Sequence, residues 1–148
     1  MTYFGSNNKE KKKDGDYYAS VGYQYSDSIT KTSYFGTNKK LVRCEEGYAI
    51  LKILYNKNHE IVEERYYDER ELPTLIETIY GNGPHCIKHS YDEWGNKTEE
   101  IYLDTQDRPF LYWDGNNYCA RWKDEYLGDS DKKTRYYYDV NGNLIGVL

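Results

Sequence analysis

Three groups of residues in this 148-residue chain have types and spacings that could do chemistry. His85, Cys86 and His89 form the one metal-like cluster. Side chains alternate along a strand, so His85 and His89 would share a face while Cys86 points away. At most two ligands then converge, and His59 is the only other histidine, so no metal site is expected. Asp92, Asp104 and Asp139, with Asn141 and Asn143, have calcium-ligand chemistry, but none sits in an alternating acidic loop closed by a glutamate. Turn formation accounts for them. Glu63-Glu64 and Glu99-Glu100 are paired acids, whereas glycoside hydrolysis needs two carboxylates facing each other across a cleft. Neighbours on a strand face opposite sides, so these read as partners for nearby Lys and Arg. The chain has neither a Gly-x-Ser-x-Gly elbow nor a phosphate-binding glycine loop. The reading is a non-enzyme with no catalytic residue, no metal and no cofactor.

Aromatic side chains are better candidates. Trp94 falls at a hairpin tip, and Tyr112, Trp113 and Tyr118 fall in a longer connection around Asp114-Gly115. Rings presented on loops can stack on sugars or anchor a protein partner.

These residues are positioned by a period. Tyr55, Tyr91 and Tyr126 recur about every 36 residues; Tyr66, Tyr102 and Tyr137 follow each, and Asp68, Asp104 and Asp139 come two residues later. Pro73 is echoed by Pro109, Tyr18-Ala19 by Tyr48-Ala49, and Thr2-Tyr3-Phe4-Gly5 by Ser33-Tyr34-Phe35-Gly36. A fixed period in this range signals a small unit stacked on copies of itself. Within a unit the apolar positions alternate, as in a half-buried strand: Val21/Tyr25, Leu51/Tyr55, Ile87/Tyr91 and Trp122/Tyr126. Ala19, Ala49, His85 and Ala120 precede them on the same face. Asp92 to Asn96 and Asp139 to Asn143 carry the Asp and Gly of a tight turn. A second strand holds Tyr66, Tyr102 or Tyr137, and a third holds Leu41-Val42, Leu75-Ile76, Phe110-Leu111 or Leu144-Ile145. Pro73 argues against a helix over residues 69–79. The predicted fold is all-β: an antiparallel meander of ten to twelve strands, built of stacked hairpin repeats as an extended or curled single sheet. It forms one domain over 1–148, with units near 1–16, 17–46, 47–82, 83–117 and 118–148.

Composition agrees with a thin sheet. Tyrosine occurs 19 times against three Phe and three Trp, and its ring can pack while its hydroxyl reaches water. Residues 1–43 hold eight Lys or Arg against four acids, giving +4 there and −9 in the rest of a chain whose net charge is −5. The basic run at 9–13 reads as a solvated loop, so nucleic acid is not an expected partner. Three cysteines without Cys-x-x-Cys spacing read as free, buried thiols. No apolar run is long enough to span a membrane.

Tyr91-Asp92-Glu93-Trp94-Gly95-Asn96 with Tyr102-x-Asp104, and Tyr138-Asp139-Val140-Asn141-Gly142-Asn143, resemble the Tyr-Asp-x-x-Gly-Asn core of Rhs-type YD-repeat bacterial proteins. The resemblance covers residues 47–148 and departs at 56–59 and 127–131. It implies a non-catalytic shell or scaffold within a larger surface or secreted protein. The apolar C-terminus, and a first motif belonging to mid-unit, make a segment of a longer array the expectation. The alternatives are a carbohydrate-binding module using Trp94, Tyr112, Trp113 and Tyr118, or a small intracellular inhibitor of immunity type acting through an acidic face. Partners would then be a protein or a glycan, with self-association through edge strands.

Overall fold

The computed structural model describes residues 3–6, 17–128 and 131–148, so the basic run at 9–13 lies outside the described residues. Every described element is a strand. Ten of them form one open antiparallel sheet: β1 (Tyr3–Ser6), β2 (Ser20–Tyr25), β3 (Ile29–Phe35), β4 (Ile50–Tyr55), β5 (Ile61–Tyr67), β8 (Cys86–Tyr91), β9 (Lys97–Leu103), β12 (Arg121–Tyr126), β13 (Lys133–Tyr138) and β14 (Leu144–Val147), adjacent in that order. Two hairpins stand apart, β6 (Ile76–Thr78) with β7 (Gly81–Gly83), and β10 (Tyr112–Trp113) with β11 (Tyr118–Cys119). The alternating sequence thus produces an all-β meander, not closed into a barrel.

One five-residue turn recurs at the strand ends. At residues 92–96 the Asp92 carboxylate accepts the N–H groups of Trp94 and Asn96, and the Asp92 N–H donates to the Asn96 carbonyl at 2.9 Å. Asp68, Asp104 and Asp139 do the same at residues 68–72, 104–108 and 139–143. The fourth residue takes a positive φ, supplied without strain by Gly95 and Gly142. Elsewhere Lys39, His59, Glu71 and Asp107 occupy that left-handed position at φ near 60°. Residues 56–59, where the Tyr-Asp motif is lost, still make this turn. Asn56 replaces the aspartate as acceptor from Asn58 and Glu60, and His59 accepts the φ of 62°.

Registers place three rows of side chains on one face. The first pairs Val21 with Tyr34, Leu51 with Tyr66, Ile87 with Tyr102 and Trp122 with Tyr137. The second pairs Tyr23 with Thr32, Ile53 with Glu64, His89 with Glu100 and Asp124 with Arg135. Tyr55, Tyr91 and Tyr126 form the third, each hydroxyl reaching back to the start of the preceding hairpin's second strand: Thr30 at 3.4 Å, the Ile61 carbonyl at 2.7 Å and the Lys97 carbonyl at 3.4 Å. Ala19, Ala49, His85 and Ala120 are all buried, and their N–H groups donate to Phe35, Tyr67, Leu103 and Tyr138 carbonyls. The opposite face carries ion pairs and cation–π contacts, such as Arg65–Glu63, Arg121–Glu99 and Lys52 over the Tyr67 ring.

Two expectations fail. The third strand joins the main sheet only as β14. Leu41, Pro73 and Pro109 each make a single bridge to the preceding strand, after which the chain leaves the sheet. Leu41 behaves as the two prolines do, so the missing proline N–H is not the cause: the ladder stops because the adjacent place is taken by the next unit's first strand. The echo between Thr2-Tyr3-Phe4-Gly5 and Ser33–Gly36, of which Thr2 lies outside the described residues, has no structural counterpart at Tyr3. Tyr34 donates its N–H to Ala49, so Tyr3 ought to oppose Ala19; it opposes Tyr25 instead.

Candidate functional site

What leaves the sheet comes to lie over the first face. Three connections, at residues 44–48, 76–83 and 112–119, follow one another there. The Cys44 N–H donates to the Tyr48 carbonyl and the Glu77 N–H to the Glu46 carbonyl, both at 2.8 Å, so the first two connections are joined by backbone. Their aromatic side chains pack down on the sheet tyrosines. Tyr18, Tyr34, Tyr48 and Tyr66 form a row with ring centroids 4.7, 5.7 and 4.9 Å apart, and Tyr112 meets Tyr102 at 5.0 Å. Burial pushes the Tyr34, Tyr48, Tyr66 and Tyr102 hydroxyls up from their ordinary value, so all four stay protonated at neutral pH.

The four candidate aromatics separate into three environments. Trp113 and Tyr118 are brought together, centroids 5.2 Å apart, with Tyr118 half-exposed. Tyr112 is not a presented ring: it packs against the buried cluster of Tyr102, Cys119, Trp122 and Tyr137. Neighbours on a strand point oppositely, so Trp113 faces out because Tyr112 faces in. Trp94 is 76% exposed but lies in the turn at one end of β8 and β9, whereas Trp113 and Tyr118 lie in the connection leaving the other end of β9. Tyr80, absent from the candidates, joins them, its ring 6.2 Å from Trp113. The sequence signal for it is the Gly81-Asn82-Gly83 run that follows, which forms β7 after a turn at Ile79-Tyr80.

His85 and His89 share a face, yet they serve different partners. The His85 Nδ1 lies 2.6 Å from the Tyr66 carbonyl and 3.3 Å from that of Thr74. Burial, foremost, lowers its pKa, so the ring is neutral in the fold. His89 lies between two carboxylates, with Nε2 2.7 Å from Glu64 and Nδ1 3.6 Å from Glu100. Cys86 faces away, its thiol 3.5 Å from Glu63. The paired acids split as expected, Glu63 and Glu99 onto Arg65 and Arg121 and Glu64 and Glu100 onto the histidine face, but they are half-buried rather than solvent-facing. All three cysteines are free and buried, and burial pushes their thiols up, Cys44 to about 11 and Cys86 and Cys119 to about 12. They are protonated, weak nucleophiles at neutral pH. Among the described residues no group of three or more His, Cys, Asp or Glu is arranged to hold a metal.

The most elaborate polar arrangement centres on Asp124, outside every sequence candidate. Asp124, its side chain wholly buried, receives two hydrogen bonds from Arg135 at 2.6 and 2.8 Å and an ion pair from Lys133 at 2.7 Å. Burial opposes its charge, but these bonds outweigh burial and hold its pKa below the usual carboxylate value. The Arg135 guanidinium in turn lies 3.7 Å from the Trp122 ring centre. The recurring offset from Trp122 and Tyr137 predicts that Asp124 faces Arg135, but the alternation by itself does not say that the pair is buried.

Fold and site together define a class: an open antiparallel meander with its connections folded over one face. Compared with protein-family models, with curated proteins and with solved structures, the chain gives no match in any of the three. Among the described residues no helix is long and apolar enough to cross a membrane, which says nothing of crossing by strands.

Proposed function

We propose that this chain is a non-enzymatic scaffold that reuses one hairpin module and presents a binding surface on its connections, as the resemblance to Rhs-type YD-repeat segments of larger bacterial proteins implies. One observation carries the reading. The N–H groups of Tyr34, Tyr66 and Tyr102 donate to the carbonyls of Ala49, His85 and Ala120, at 2.9, 3.0 and 2.9 Å, so each hairpin docks on the next by the same bond. A module that docks by a standing rule can be removed without redesigning its neighbours. Deleting residues 50–85, which joins Ala49 to Cys86 across one period, tests this. The scaffold reading expects a shorter chain that keeps its β-type circular dichroism and still melts cooperatively. A deletion product that is soluble but unfolded would refute it.

The second reading is carbohydrate binding, with the half-exposed Tyr118 ring beside Trp113 stacking on a single sugar rather than the pair forming a platform for several. Binding to a soluble glycan that is lost in Trp113→Ala would favour it.

A further inference from the structure

The outer surface of the three connections combines two features in one place. First, it is aromatic and apolar where it meets water: Tyr80 is 64% exposed, Tyr118 50%, and Ile79, at the tip between β6 and β7, 90%. The Trp113 ring lies between those of Tyr80 and Tyr118, so the β6–β7 and β10–β11 hairpins present one patch. Second, it is bordered by carboxylates that the fold leaves unneutralised. An open cleft of about 460 Å³ beside the patch is walled by Glu45, Glu46 and Glu77, with Ile76 and Ile79 on its apolar side. No Lys or Arg among the described residues forms an ion pair with any of these three. Glu63, Glu69, Glu99 and Asp124 each have an arginine partner, and Glu93, which has none, lies in the 92–96 turn at the other end of β9, away from this patch. Arg43, the base near Glu77, is already engaged by Glu69 and by the Gly47 carbonyl.

The chemistry of the occupant follows from the two features together. Tyr and Trp on short loops rich in Gly and Asn supply large contact area at small entropic cost and serve as anchors in protein recognition. Unpaired carboxylates at the rim favour a cationic partner surface, and the exposed ring faces add attraction for Lys or Arg. The rings are tilted 59° and 55° to their neighbours, so they offer no flat platform on which successive sugar rings could stack.

We propose that the connections form a protein-docking surface, with Tyr80, Trp113 and Tyr118 as anchors and Glu45, Glu46 and Glu77 as the rim, for a partner segment that places apolar side chains beside Lys or Arg. The proposal rests on the scaffold reading and names its partner class. The partner's apolar residue covers Trp113 and Ile79 while its cations reach into the acidic cleft. Removing an anchor raises the dissociation rate, and adding salt slows association by screening the rim.

The test is a random-peptide display library selected on the full chain, with the enriched peptides then measured against the soluble Tyr80→Ala protein. Tyr80 is mostly exposed, so that variant keeps its fold, which its melting curve checks. The expected result is enrichment of sequences joining Lys or Arg to apolar residues. Their affinity should fall roughly tenfold or more in Tyr80→Ala and Trp113→Ala, and should weaken in Glu46→Gln/Glu77→Gln and with rising salt. Enriched peptides that bind Tyr80→Ala as well as they bind the parent would overturn the surface. So would enrichment without a cationic bias, no enrichment, or glycan binding at the same rings. None of these outcomes bears on the deletion of residues 50–85, so the surface can fail while the scaffold stands.

Discussion

The two halves of the sheet follow one plan with different contents. In the row that begins with Val21 and Tyr34, the β2–β5 half has aliphatic–tyrosine pairs, whereas β12 and β13 bring Trp122 against Tyr137, both buried. One row further on, β2 and β3 leave Tyr23 exposed opposite Thr32, while β12 and β13 bury Asp124 under Arg135. The covering connections differ in parallel. The 44–48 connection is a five-residue turn, while 112–119 is a hairpin that adds Tyr112 and Cys119 to the core. Hydrogen-bond geometry repeats, then, but stabilisation does not. The backbone plan is set by turns and alternation, and burial is set by what each connection lays on top.

That contrast breaks most readily at its deepest point. Tyr137→Ala removes a wholly buried ring and should cost about 4 kcal/mol, against about 2 kcal/mol for Tyr34→Ala, the half-buried ring at the equivalent place in β3. Chemical denaturation measures both, and equal costs would show that the halves are equally packed. Asp124→Asn should come next, at about 3 kcal/mol, because Arg135 and Lys133 lose their counter-charge. This is the low end for a broken buried pair, since both cations keep part of their surface in water.

A smaller effect concerns His85, which sits where the other units have alanine. Its pKa is lowered by burial, so the unfolded chain takes up its proton first as pH falls. The stability the neutral ring contributes is present above its ordinary value of about 6.5 and lost as pH falls through that value toward the lower folded pKa. Between about pH 7.5 and about pH 5.5, the parent should therefore lose more stability than His85→Ala does. Parallel slopes would mean that the ring is not held neutral.

Much of this plan is legible in the sequence, for identifiable reasons. Alternation at Leu51/Tyr55 and Ile87/Tyr91 gives the strands and their inward face, and Asp with Gly gives the turns at 92–96 and 139–143. The turn at 56–60 is concealed, because Asn56 does the aspartate's work and His59 tolerates the left-handed position. The single-residue bridges at Pro73 and Pro109 are also concealed: Leu75-Ile76 and Phe110-Leu111 look like strands of the main sheet, yet the position they would need there is occupied, and Ile76 goes into the separate β6–β7 hairpin. Among the candidate aromatics, Trp113 and Tyr118 are together, but Tyr112 is inverted by strand parity and Tyr80 comes from another unit. Contacts between units depend on how connections drape, which no local pattern encodes.

Grafting one turn onto another tests most directly the claim that unlike sequences perform the same structural job. Replacing residues 56–60 with Asp-Glu-Trp-Gly-Asn, the sequence of residues 92–96, puts glycine at the position of positive φ that His59 now occupies. Thermal unfolding should show the parent's cooperative transition at a midpoint equal to or a few degrees above the parent's, as relief of about 1 kcal/mol of left-handed strain implies. A broadened transition, or a midpoint well below the parent's, would contradict the account, because the two turns would then not be equivalent parts.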